Sequence, residues 1–160
     1  ESFFSHLRGL AGGDDAPLVT DLIVTGFEEF RGHLDPPSGA HFETPEKVRH
    51  KIESGGAFIA SVEGQAVGCV LYYPDSQGHL YLGRLAVLPA ARQHGLGHRL
   101  VEAVETVARE QRYSHVSLVV RVTLPANRAY FERMGYHVAG YETHNGHIRP
   151  TMIKMLKTIA

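Results

Sequence analysis

The sequence holds a single cysteine, Cys69, so no disulfide can form within the chain and no cysteine-rich metal site can be built. Charge of neither sign dominates: 16 Lys and Arg against 17 Asp and Glu leave a net charge of -1 with histidine neutral. No global field therefore recruits nucleic acid or an anionic membrane, and neither is an expected partner. No apolar run approaches the ~18 residues that a membrane span requires. No secretory leader is recognisable, and the cytoplasm is the expected compartment. Two nucleotide-binding signatures are missing as well. Around the glycine-bearing turn at residues 92–97, Leu100 stands where the dinucleotide fingerprint has its third glycine, and no Gly-Lys-Ser/Thr follows as in an NTPase phosphate loop. Histidine is plentiful: the chain has 11, each changing charge near pH ~6.5.

With 160 residues the chain can bury the core of one domain, spanning 1–160. Residues 2–10 suit a first strand. Asp14 or Asp15 then caps a helix carrying Leu18, Leu22, Ile23, Phe27 and Phe30 at spacings of three and four. Residues 32–39 form a loop by composition, and Thr44 followed by Pro45 starts a short helix with Val48 and Ile52 on one face. Two strands, 57–62 and 66–73, flank a tight turn at Gly64. A strand over 115–122, a helix over 126–134 and a closing hairpin (136–142 and 148–159, turning at Asn145-Gly146) complete the order. The expectation is an α/β fold.

The chain is organised around residues 80–111. An apolar run from Leu80 to Leu88, interrupted by Gly83 and Arg84, reads as a buried strand ended by Pro89. The turn Arg92-Gln93-His94-Gly95-Leu96-Gly97 follows, and then a helix with Leu96, Leu100, Val104, Val107 and Ala108 on one face. Strand, glycine turn and helix start make an anion cradle, because backbone N–H groups converge where the helix dipole is positive.

That turn fits Q/R-x-x-G-x-G/A, and Asn127, Phe131, Gly135 and Tyr136 fit a second pattern of helix-opening Asn, aromatic and Gly-aromatic. Together they resemble the signatures of the GNAT family of N-acetyltransferases, and the order of elements is similar over nearly the whole chain. The resemblance implies a GNAT-like fold, with a mixed, mostly antiparallel central sheet and helices on both faces. It implies acetyl-CoA as co-substrate, with its pantetheine arm along Leu85, Ala86 and Val87. The pyrophosphate would lie on the amides of Gln93, His94, Gly95, Leu96 and Gly97 with Arg92 beside it, and Asn127 and Phe131 would lie near the cofactor. The activity implied is direct acetyl transfer to an amine, either a small molecule or a peptide or protein amine, and a homodimer is a compatible assembly. The rival reading is a CoA-binding module without turnover.

Two departures from the pattern bear on catalysis. The family's usual acid, a Tyr four residues before the Gly, is Phe131 here, with Tyr130 one residue earlier as the available phenol. No carboxylate occurs over 80–85, where many relatives place a base. Among the histidines His144 is the best base, since the final hairpin borders the acceptor cleft in this fold. Strict strand alternation would put His144 and His147 on opposite faces, and no metal motif is present. Glu28, Glu29 and Asp35 are candidate groups for an ammonium-bearing acceptor. Arg84 needs a partner inside its apolar strand, either an acidic substrate group or an internal carboxylate. Cys69 lies mid-strand and is a poor nucleophile candidate.

Overall fold

In the computed structural model, which describes residues 5–10 and 12–159, the apolar stripes of four helices close on two faces of one sheet. The elements are β1 (Ser5–Leu10), α1 (Ala16–Gly26), α2 (Pro45–Ser54), β2 (Gly56–Val62), β3 (Gln65–Pro74), β4 (Leu80–Val87), α3 (Leu96–Glu110), β5 (His115–Arg121), α4 (Pro125–Arg133), β6 (His137–Glu142) and β7 (Met152–Thr158). The sheet runs β1-β2-β3-β4-β5-β7-β6. Every neighbouring pair is antiparallel except β4 and β5. The expected mixed, mostly antiparallel sheet with helices on both faces is what the chain forms. The part of the first strand expected before Ser5 lies outside the described residues.

Alternation along the strands sorts the core into two layers. Cys69 and Leu71 of β3 join Val19, Ile23, Val48 and Ile52 under α1 and α2. Val70, between them, joins Leu100, Val104, Leu118 and Met155 under α3. The α2 start follows the expected chemistry, with Thr44 Oγ1 accepting the Lys47 N–H at 3.2 Å and Pro45 opening the helix. Helix α1 stops at Gly26, and Phe30 belongs to a separate 3₁₀ turn over Glu28–Phe30. The second arm of the last hairpin begins at Met152 rather than at 148: Pro150 cannot donate to a ladder, and Ile148 is 99% exposed.

A further carboxylate ties the second layer together. Glu105 of α3 is buried, accepts the Tyr136 hydroxyl at 2.8 Å and pairs with Lys157 Nζ at 3.1 Å. Helix α3, the link from α4 to β6 and strand β7 are thereby joined by one buried polar group.

Strand β4 departs from alternation in a way that positions the site. Leu80 and Leu82 face α3, and a regular strand would send residue 84 the same way. The register against β3 instead shifts between Cys69 and Leu71, and Arg84 adopts φ 52°. This bulge turns Arg84 to the α1/α2 side, where Ala86 also packs. By this point β4 and β5 have already parted. Their parallel ladder consists of Leu80↔Val116 and Tyr81↔Ser117, although the strands run on to Val87 and Arg121.

Candidate active site

The gap between the parted strands opens into a cleft of about 700 Å³, lined by β4 from Tyr81 to Val87, β5 from Leu118 to Arg121, and the start of α3. Because the ladder has ended, the β5-facing edge of β4 offers backbone donors and acceptors to the cleft. Leu85, Ala86 and Val87 line the cleft along this edge.

At one end stands the start of α3. Its N-cap is Gly95 with φ 74°, a left-handed conformation that favours glycine, and Gln93 is also left-handed at φ 72°. No side chain caps the helix, and its first turn holds no acid but carries His98 and Arg99. Cations at a helix N-terminus oppose its dipole, whereas an anion there would be held by both. Gln93, Gly95, Leu96 and Gly97 line the cleft at this end, and His94 lies between them in the turn. A ligand with a pyrophosphate and an extended amide-bearing arm fits this combination of uncapped amides and open strand edge.

Arg92, expected beside the pyrophosphate, is engaged within the chain. Its Nε donates to Val87 O at 2.8 Å, its Nη2 to Gly26 O at 3.4 Å, and its Nη1 pairs with Glu29 at 2.9 Å. The guanidinium lines the cleft but is engaged in joining the end of α1 to β4, so Arg92 acts first as a latch.

Helix α4 supplies the far wall. Phe131 is buried against Tyr136, ring to ring at 5.8 Å, while Tyr130 is half-buried beside the cleft. The Tyr130 hydroxyl lies 3.0 Å from where a Cβ on Gly97 would stand, so it hangs over the first turn of α3. Burial raises its pKa, only partly opposed by Arg133, and the phenol stays protonated at neutral pH. Asn127 lines the same wall.

The other end is closed by Tyr81, Arg84, Arg121, Leu34, Ser38, His144 and Met152. His144 donates its backbone N–H to Thr151 Oγ1 at 3.0 Å, with ring Nδ1 2.5 Å from the same oxygen. Burial, Arg121 and His147 lower its pKa, which favours the neutral imidazole that a base requires. His144 and His147 do not alternate across a strand. They sit in the turn with ring centroids 6.1 Å apart, because neither β6 nor β7 reaches them. Burial pushes the Tyr81 phenol up to about 12.

The acidic residues expected on the acceptor wall are otherwise occupied. Glu28 is bound by Arg31 at 2.7 Å on the surface, Glu29 by Arg92, and Asp35, 91% exposed, lies 3.5 Å from His147. Of the three only Glu29 lines the cleft. Arg84 takes the internal alternative: its Nε donates to Glu43 at 2.8 Å, and Glu43 also bonds Lys51. His79 and His115, 5.0 Å apart ring to ring, stand at the opposite end of β4 and β5 from the cleft. Cys69 is buried, and burial pushes its thiol up to about 12. Tyr81 and Arg121 were not singled out by sequence. A strand-end arginine and an alternating tyrosine are ordinary until the strands part beside them.

Comparison with known proteins agrees with this geometry. The profile described as the acetyltransferase (GNAT) family matches residues 23–136, more than half of the chain. An uncharacterised N-acetyltransferase of Chlorobaculum tepidum is 35% identical over 81 residues, covering 49% of this chain and 48% of the relative. The chain spans 34% of the length of another curated relative, from Danio rerio. The ribosomal-protein-S18-alanine N-acetyltransferase of Escherichia coli shares the fold with a TM-score of 0.75 at 19% identity, over 98% of this chain and 95% of that one. A GNAT acetyltransferase of Elizabethkingia anophelis, solved with acetyl-CoA bound, superposes with a TM-score of 0.68 at 16% identity, over 96% and 97% of the two chains. With a family match of that extent, this chain belongs to the acetyltransferase (GNAT) family.

Proposed function

We propose that this protein is an N-acetyltransferase that moves the acetyl group of acetyl-CoA to an amine acceptor by direct attack, within one domain spanning residues 1–160. The observation that carries the reading is the meeting of two features in one cleft: the unpaired edge of β4 and the uncapped start of α3. Acetyl-CoA supplies a thioester carbonyl and a thiolate leaving group. The amides of residues 93–97 hold its phosphates, and the edge of β4 from Leu85 to Val87 holds its amide-bearing arm. A β4 N–H, that of Val87 in this reading, steadies negative charge on the carbonyl oxygen. His144, neutral at physiological pH, takes the proton of the acceptor amine directly or through water. Tyr130 offers its phenolic proton to the departing sulfur. Its place over Gly97 equally suits a role in holding the arm.

The test is release of free thiol from acetyl-CoA in the presence of a panel of amines, beside calorimetric titration with CoA. Binding with amine-dependent thiol release supports the transferase. Binding without release from any amine favours the rival, a CoA-binding module, and no binding of CoA removes both.

A further inference from the structure

The cleft carries more positive charge than the start of α3 needs for an anion. Arg84, Arg92 and Arg121 line it, against one carboxylate, Glu29. Glu29 is held by Arg92 at the α3 end. At the opposite end Arg84 rises from the β4 bulge and Arg121 from the last position of β5. The strands have diverged there, yet both guanidiniums reach the same short stretch of the 32–39 loop. Arg121 Nη2 donates to Pro37 O at 3.2 Å, and Arg84 Nη2 lies 2.8 Å from where a Cβ on Gly39 would stand.

The two arginines differ in one respect. Arg84 has an ion-pair partner in Glu43, whose side chain is 1% exposed and which it shares with Lys51. Arg121, among the described residues, has no carboxylate at ion-pair distance. The acid it feels is Asp35, which is turned to His147 and to solvent. Arg121 is half-buried, and burial works against its charge. A guanidinium has five N–H donors, and the bond to Pro37 uses one. A partly desolvated cation with donors to spare, facing a cleft, is suited to a carboxylate. His144 stands beside it, close enough for Arg121 to depress its pKa. A base for an amine and a cation for a carboxylate therefore adjoin.

We propose that the acceptor is an amine bearing its own carboxylate, of amino-acid type, and that Arg121 binds that carboxylate while His144 faces the amine. The inference rests on the acetyl-transfer reading and narrows its acceptor. It reverses the expectation from Glu28, Glu29 and Asp35, since a polyamine would meet Arg121 rather than acids.

Thiol release is measured with amino acids, each paired with its carboxamide, and with spermidine. CoA-loaded protein is titrated in parallel with N-acetylglycine and N-acetylglycinamide. The expected result is a kcat/KM at least ~10-fold higher for acids than for their amides, and binding of the acetylated acid over its amide. A bidentate contact to a charged group is worth about that much or more. Arg121→Gln should reduce the preference to less than about threefold by raising the acceptor KM, leaving the KM for acetyl-CoA unmoved. Arg121→Lys, which keeps the charge, should restore part of it and guards against a folding defect. If CoA binds but acids and amides react and bind alike, or spermidine is preferred, the carboxylate assignment is overturned and acetyl transfer stands. If CoA itself fails to bind, both readings fall.

Discussion

The two ends of β4 are built on opposite rules. At the Leu80 end the strand is closed. It pairs with β5, and Asp75 beside it accepts the Ser117 hydroxyl at 2.7 Å and the N–H groups of Gln77 and His79 at 2.8 and 2.9 Å. At the Val87 end the ladder has stopped, a bulge has reversed the strand's faces, and the following helix starts without a side-chain cap. One end uses its polar groups within the chain. The other leaves backbone groups open, which is costly in a folded interior unless water or a ligand takes them. The site lies where the fold leaves its hydrogen bonds unmade.

The sharpest way to break this contrast is to fill the cradle. Gly95→Val puts a β-branched side chain at φ 74° over the amides. The left-handed conformation costs about 1–2 kcal/mol, a fall of several degrees in Tm that the closed end survives. CoA binding by calorimetry should drop at least ~100-fold. A well-folded variant with unchanged affinity would place the phosphates elsewhere.

A comparable effect is set by Tyr130→Phe. If the phenol protonates the leaving thiolate, kcat falls ~10²–10⁴-fold with little change in the KM for acetyl-CoA. If it only holds the arm over Gly97, the KM rises and kcat changes within a few-fold. Phe131→Tyr is the complement. Phe131 is buried against Tyr136, so a hydroxyl added there meets the core, and lost stability without a gain in rate is expected.

His144 sets a smaller effect, read in pH. Its folded-state pKa lies below the ordinary imidazole value, from burial and from Arg121 and His147. The neutral base is then present above that lowered value, so kcat/KM should rise with pH through an inflection below ~6.5. His144→Gln should remove the inflection and lower the plateau.

These effects bear on what could be read beforehand. The order of elements and the glycine turn were legible, because apolar periodicity, Thr44-Pro45 and the Arg92–Gly97 spacing are local signals, while the sheet type followed from the family resemblance. The roles of charged side chains were not. Whether Arg92 meets a phosphate or Glu29 depends on two residues 63 apart in sequence. The pairing of Arg84 with Glu43 depends on a bulge that reverses one strand's faces, and no residue type announces it. The buried Glu105–Tyr136–Lys157 group escaped for the same reason: each member looks like an ordinary surface or core residue until α3, the α4–β6 link and β7 meet.

The closed end is tested by stability rather than by activity. The Asp75 carboxyl sits below its usual range: burial would raise it, but the bonds from Ser117, His79 and Gln77 outweigh burial. A depressed carboxylate stabilises the fold above its unfolded-state pKa, and this is lost as pH falls through the folded-state value. Asp75→Asn should cost about 1–3 kcal/mol at neutral pH and flatten the acid limb of the stability curve. CoA affinity should be unchanged. A loss of CoA affinity as large as the loss of stability would show that the two ends are not independent.

The smallest expected effect lies at the open end, in the adjacent acids Glu28 and Glu29. Glu28 pairs with Arg31 away from the cleft, so Glu28→Gln should leave the KM values of both substrates unmoved. Glu29 is different, because its carboxylate occupies one donor of Arg92, which opens the turn proposed to hold the phosphates. With both side chains more than a third exposed, the pair itself is worth little. Its effect is on competition: a phosphate that recruits Arg92 must displace Glu29, while one held only by amides need not. Under the first arrangement Glu29→Gln releases Arg92 and lowers the Kd for CoA by about two- to fivefold, with dephosphorylated pantetheine unaffected. Under the second the Kd does not change. A raised Kd would mean that Glu29 holds Arg92 against Val87 O and Gly26 O, and that this latch shapes the cradle from behind.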